Sequence, residues 1–206
     1  MNDRAAAVLP ARHRRIMPIC CRVLRRGGLV ILPGDTIYGL IGAAPAAEAR
    51  IRRTKSRAED RPLLVLIPDR SWLWRCGVAG ELPERLLRYW PGALTIVLPR
   101  AGGGTVGVRV PDDPFLCRLA RCVGAPLYST SVNRSGLPPL SRVSQIVAAF
   151  GASVDLIVDG GELGSPVPST VVDASTRPCR LLRQGSVDLP AEVLARPRGC
   201  SLKPPL

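Results

Sequence analysis

"GGLVILPGDTIYGLIGAAP", residues 27–45, places two short apolar runs on either side of a tight polar loop. Each run is nearly continuous in its hydrophobicity rather than alternating, the pattern of a strand buried on both faces. Gly27-Gly28 ends an apolar-periodic stretch over 16–26 that reads as a helix. Pro45 lies near the first turn of the next helix, predicted over 45–55, where its missing N–H costs nothing. The stretch therefore predicts helix, strand, loop, strand, helix.

The same short runs recur outward from it. "LLVLIP", "LTIVLP", "VGVRVP", "PLYST", "DLIVD", "STVVDA" and "CRLLRQ" read as further strands, the second and third joined across "RAGGGT" in a hairpin-like connection. Helices are predicted near 69–75, 81–89, 113–122, 142–149 (behind Ser141 as N-cap) and 190–195. Helices and strands interleave without strict alternation, which predicts a three-layer α/β domain around a twisted, mixed parallel and antiparallel sheet. With 206 residues the chain is long enough for one sizeable core. Residues 1–15 read as a loosely ordered leader, 16–187 as the domain, and 188–206 as a short helix and Pro-rich tail.

No run approaches the roughly 18 apolar residues of a membrane span. In the leader, Arg12, Arg14 and Arg15 follow the apolar patch, the reverse of a secretory signal; an arginine-rich organelle address stays open. Seven scattered cysteines without a C-x-x-C pair argue against a zinc framework and for a reducing, cytoplasmic setting. The formal charge of +13 points to a polyanionic partner, nucleic acid or a phosphate-rich small molecule, and Arg so dominates that only Lys55 and Lys203 are lysines.

The one histidine, His13, lies in the leader, so a Ser–His–Asp or Cys–His mechanism has no base. No H-E-x-x-H, EF-hand or P-loop motif is present, and "AGGGTVG" at 101–107 lies between strands, where it reads as a turn. What remains is positive charge, hydroxyls and backbone donors. That inventory suits nucleotidyl transfer, in which the substrates bring nucleophile and leaving group.

Four stretches in order, "LPGDTIYGL" (32–40), "KSR" (55–57) running into "RPLLVLI", "STSVNRSG" (129–136) and "STVVDAS…LLRQGSV" (169–187), together resemble the YrdC-type threonylcarbamoyl-adenylate synthase family. "WPGALTIVLP" (90–99) and "VGVRVP" (106–111) fall between them, where that family has similar strands. The resemblance covers about residues 16–187 and implies a YrdC/RibB-like fold. It also implies a nucleotidyltransferase reaction: L-threonine, bicarbonate and ATP give threonylcarbamoyl-AMP and pyrophosphate. A downstream threonylcarbamoyl-transferase complex then uses the product to modify adenosine in tRNAs that read codons starting with A.

On this resemblance Lys55 and Arg57 are the catalytic cations that neutralise the triphosphate, Lys55 as a mobile point charge and Arg57 as a planar fork. ATP binding falls to these two with Arg61, Thr95, Ser131, Asn133 and Arg183; threonine binding falls to Thr36, Tyr38, Arg109, Ser129 and Ser169. Read from the residues alone, Lys55 and Arg57 are a solvated helix end, Tyr38 a core tyrosine, and Ser131 and Asn133 an ordinary turn; the ordered motif set reverses that preference. Arg109 and Arg183 sit in apolar strands and need partners: a phosphate, Asp112 or Asp173. No metal cage is expected, and Mg2+ arrives on the ATP phosphates. The chain departs from the family's usual pattern at Gly34, where threonine is usual, and at Arg61, Val132 and Gln184.

Two other functions compete. The basic concavity would serve a non-catalytic module for tRNA or double-stranded RNA. A relative that forms carbamoyl-adenylate from carbamoyl phosphate would keep the fold and change the substrate.

Overall fold

The computed structural model describes residues 5–55, 63–134, 137–164 and 167–195. Among these residues ten strands form one mixed sheet: β1 (Ala7–Pro10), β2 (Leu29–Pro33), β3 (Tyr38–Ala43), β4 (Leu64–Leu66), β5 (Leu94–Pro99), β6 (Thr105–Arg109), β7 (Leu127–Ser131), β8 (Leu156–Asp159), β9 (Thr170–Asp173) and β10 (Arg180–Arg183). Their order across the sheet is β1-β8-β2-β3-β7-β4-β6-β5-β9-β10. Parallel pairs (β1/β8, β2/β8, β4/β6, β5/β9) mix with antiparallel ones, as expected for this fold class.

The 27–45 stretch forms the β2–β3 pair, with Leu29 opposite Gly42 and Pro33 opposite Tyr38. The β5–β6 pair is the hairpin read from "RAGGGT". Its turn runs through Gly102, Gly103 and Gly104, all at positive φ, a conformation L side chains rarely adopt.

Alternation along the strands separates the two faces. Val30 and Leu32 of β2 pack with Ile41, Leu66, Leu127 and two helices, α1 (Ile16–Arg25) and α4 (Pro114–Val123). Leu29 and Ile31 point the other way, against α2 (Glu48–Lys55) and α5 (Val143–Phe150). On that second face the core continues under a 3₁₀ turn (Arg70–Cys76), α3 (Glu84–Leu87) and α6 (Ala191–Leu194). The helices α1 and α4 cover only the half of their face built on β8, β2, β3 and β7. Over β6, β5 and β9 that face stays open, and the opening is the cleft described below.

Two expectations are corrected. Residues 7–10, inside the supposedly loose leader, form edge strand β1, with Ala7 opposite Leu156 and Pro10 opposite Asp159. A proline is tolerated there because an edge strand has one unpaired side. Ser141 does not cap α5: Arg142 holds the cap position without a side-chain bond, and the Ser141 carbonyl accepts from the Leu163 N–H.

Candidate active site

A cleft of about 360 Å³ lies on the open half of the sheet. Its floor is made by same-face residues of successive strands: Gly39 and Ile41, Ser129 and Ser131, Leu64 and Leu66, Gly107 and Arg109, Thr95 and Val97, and Val171. The loop Gly34–Ile37 closes one side; Pro168, Ser169, Leu182 and Arg183 close another. Of the residues expected at the site, Thr36, Thr95, Arg109, Ser129, Ser131, Ser169 and Arg183 line this one space. Gly39 matters by what it lacks, since a Cβ there would come within 3.3 Å of Ser129 Oγ. Arg57 and Arg61 lie outside the described residues.

Lys55 is neither a solvated helix end nor a mobile charge. It is 6% exposed at the last position of α2. Its ammonium donates to Ser131 O at 2.7 Å, to Asn133 Oδ1 at 2.7 Å and to the Asn133 carbonyl. Ser131 Oγ donates to Asn133 Oδ1 at 2.6 Å, and Asn133 Nδ2 donates to Leu137 O at 2.6 Å. The cation thus pins the turn that follows β7, and with it the Ser131 hydroxyl on the cleft wall. Carbonyl oxygens can hold a buried ammonium because each presents a lone pair to one of its three N–H groups.

Arg109, 4% exposed, pairs with Asp35 at 2.5 Å. Neither Asp112 nor Asp173 is its carboxylate partner: the Asp112 backbone N–H donates to Asp35 Oδ2, and Asp173 is turned to Ser175. The guanidinium also donates to Gly92 O at 2.8 Å and to Thr36 Oγ1 at 3.2 Å. Burial lowers the Arg109 pKa, and the Asp35 charge pulls it back up. Asp35 was missed in the sequence; its signal was an acid in the loop between β2 and β3, facing a strand that carries a buried cation.

Arg183 contrasts with Arg109. Its Nε and Nη2 donate to Ser169 O at 3.1 and 2.9 Å, and Nη2 also reaches Ser169 Oγ at 3.3 Å. Ser169 Oγ and Thr95 Oγ1 share a hydrogen bond of 2.8 Å. Among the described residues, no carboxylate lies within 4.0 Å of the Arg183 guanidinium. The residue is exposed at the rim of the sheet, and partial burial of its guanidinium against the cleft wall lowers its pKa. Such a group at a cleft wall favours an anion.

Tyr38 is corrected to a core residue. It is fully buried, shares its face of β3 with Leu40, and points away from the cleft. Its hydroxyl donates to Gly161 O at 2.7 Å and accepts from the Gly160 N–H at 3.0 Å. Among the described residues, no group of three His, Cys, Asp or Glu side chains is placed to hold a metal ion. No helix among them is long and apolar enough to cross a membrane.

The family model Sua5_yciO_yrdC, described as telomere recombination, matches residues 22–185. A threonylcarbamoyl-AMP synthase of Bacillus subtilis (strain 168) is 35% identical over 181 residues, 80% of this chain and 52% of that protein. A putative threonylcarbamoyl-AMP synthase of Mycobacterium tuberculosis (strain CDC 1551 / Oshkosh) is 33% identical over 202 residues, 90% of this chain and 92% of its own length. The crystal structure of Pyrococcus abyssi Sua5 complexed with L-threonine superposes with a TM-score of 0.78 at 32% identity, covering 87% of this chain and 58% of that one. This chain thus spans little more than half the length of the B. subtilis and P. abyssi proteins. The family model's match over most of the chain and these likenesses agree: the chain belongs to the Sua5/YciO/YrdC family.

Proposed function

We propose that the cleft makes threonylcarbamoyl-AMP from L-threonine, bicarbonate and ATP, releasing pyrophosphate, as a nucleotidyltransferase. The observation that carries the reading is two arginines in one cleft, Arg109 buried against Asp35 and Arg183 at the rim, held among the described residues by the Ser169 carbonyl and hydroxyl. The relatives named as synthases and the threonine-bound P. abyssi structure support it over a non-catalytic RNA module or a carbamoyl-phosphate user.

In this reading Thr36, Arg109, Ser129 and Ser169 hold the threonine, and Thr95, Ser131 and Arg183 face the nucleotide; Asn133, outside the cleft lining, holds the turn behind Ser131. The carbamate formed on the threonine amine attacks the α-phosphorus, and pyrophosphate leaves with the bonding electrons. Both reactants are anions, so positioned positive charge lowers the barrier most. Arg183 supplies a guanidinium fork for phosphate oxygens. Lys55 acts as a fixed positive charge that sets the Ser131–Asn133 turn, with Arg57 and Arg61 assigned to the phosphates. The apolar wall of Leu32, Leu66, Leu116 and Val171 limits water, which strengthens each contact.

Mg2+ fits as a guest of the triphosphate. Among the described residues the cleft offers one carboxylate, Asp35, and that group is already bound to Arg109, so the ion would be held by phosphate oxygens and water. The product passes to a threonylcarbamoyl-transferring complex acting on tRNA, in the cytoplasm.

The test is pyrophosphate release with ATP, L-threonine and bicarbonate, omitting each in turn. Release should require all three, and Arg183→Gln should raise the KM for ATP about 10- to 100-fold, as loss of a charge-assisted hydrogen bond does. Release with carbamoyl phosphate in place of threonine and bicarbonate would move the protein to the other substrate class. No ATP binding, together with strongly salt-dependent duplex RNA binding, would make it an RNA module.

A further inference from the structure

Away from the cleft, α1 and α4 pack side by side, and Cys21 of α1 meets Cys122 of α4 at their interface. Cys122 is the first neighbour that acts on the Cys21 thiol, and Arg25 is the next. Both residues line a groove of about 380 Å³, together with Pro18, Arg22, Arg25 and Arg26. The Arg25 guanidinium is anchored there by donating to the Cys122 carbonyl. The proposed reaction uses neither cysteine.

We propose that Cys21 and Cys122 are a modification site, a thiol pair that closes to a disulfide across α1 and α4 when a small anionic disulfide such as glutathione disulfide enters the arginine-lined groove. Three guanidinium groups favour the carboxylates of such a reagent. The roles of the two cysteines differ by exposure. Cys122 is half-buried and open to the groove, whereas Cys21 is 4% exposed and burial pushes its thiol up to about 11. Cys122 therefore reacts first. Its thiolate attacks one sulfur of glutathione disulfide, the S–S bond breaks, and one glutathione leaves with the electron pair. Cys21 then loses its proton and attacks Cys122 Sγ, expelling the second glutathione. The protein gives up two protons and two electrons, and glutathione disulfide gains both to become two thiols.

The bond would close a loop of about a hundred residues, a length at which cross-links restrict the unfolded chain strongly. It would also tie α4, whose Leu116 lines the cleft, to α1.

The experiment is incubation of the full chain with glutathione disulfide, trapping of free thiols and tryptic mass mapping. Peptide 16–22 should appear joined to peptide 122–134, lighter by two hydrogen atoms and separable by reductant, and the melting temperature should rise by roughly 5–10 °C. Cys20→Ala should keep the cross-link, Cys21→Ala should stop at a glutathione adduct on Cys122, and Cys122→Ser should leave Cys21 unreacted. The idea is overturned by a lasting Cys122–glutathione adduct in the unaltered chain, by a cross-link that survives Cys21→Ala, or by an unreactive Cys122. The mapping of the unaltered chain needs no variant to fold.

Discussion

The ammonium of Lys55 and the side-chain oxygen of Asn133 sit 2.7 Å apart, joining the end of α2 to the turn after β7. A residue expected to reach out to phosphate is instead held by three oxygens of that turn. Lys55→Ala should therefore act twice. It leaves buried acceptors without donors, for a loss of about 2–4 kcal/mol in urea unfolding, and it releases Ser131 from the cleft wall. Pyrophosphate release should fall at least about 100-fold, and added salt should not restore it. A variant of unchanged stability and activity would return Lys55 to an ordinary helix end.

Tyr38→Phe separates packing from binding. Removing the hydroxyl leaves the Gly160 N–H and the Gly161 carbonyl without their partner, so stability should drop by about 1–3 kcal/mol. Because the ring faces the core, the KM for threonine should stay within about twofold. A large KM increase with little loss of stability would put the tyrosine back into the pocket.

Asp113 gives a pH prediction. It caps α4 by accepting from the Phe115 and Leu116 N–H groups at 2.8 and 3.1 Å, yet burial raises its pKa above the ordinary 3.8. An acid whose folded pKa is raised binds its proton more tightly when folded, so folding stability falls as pH rises from 3.8 through the folded value. Asp113→Asn keeps the cap and removes the buried charge. The variant should be the more stable of the two at neutral pH, and the gap should close as pH falls toward 3.8. A gap that widens in acid would reverse the sign and show that the ionised cap is the favoured form.

The strands after β1 were legible because they are short apolar runs, most of them flanked by Gly or Pro, and the site loops because hydroxyl and basic residues gather at their ends; β1 was hidden in a short run beside a basic cluster. The order of strands was not legible. It depends on which crossovers bring β8 between β1 and β2, and β7 between β3 and β4, and no local pattern records that. Tyr38 was misplaced although its parity was readable, for residues alternate along β3 and Tyr38 shares the face of Leu40 rather than of Gly39 and Ile41. Asp35 and the carbonyl partners of Lys55 escaped for a different reason. Ion pairs and main-chain acceptors are set by tertiary placement, and the partners stand 74 and 76 residues away.

Thr170 and Gly185 set the reach of Arg183. The Thr170 hydroxyl, fully buried, donates to Val187 O at 2.7 Å and accepts from the Gly185 and Val187 N–H groups at 3.0 and 3.1 Å. This clamps the turn after β10 onto the start of β9. Gly185 fits there because it has no Cβ; one would lie 2.2 Å from Pro168 O and 2.4 Å from the Ser169 carbonyl carbon. Those atoms are backbone and cannot swing aside. Gly185→Ala should therefore force the turn off the strand, lowering stability by about 2–4 kcal/mol and raising the KM for ATP through the displaced Arg183. Thr170→Val keeps the shape and removes only the hydrogen bonds, leaving two N–H groups and a carbonyl unpaired. It should lose similar stability with a smaller KM effect, because the backbone has no clash to escape. Equal KM values for both variants and the unaltered chain would show that Arg183 reaches the nucleotide without help from this clamp.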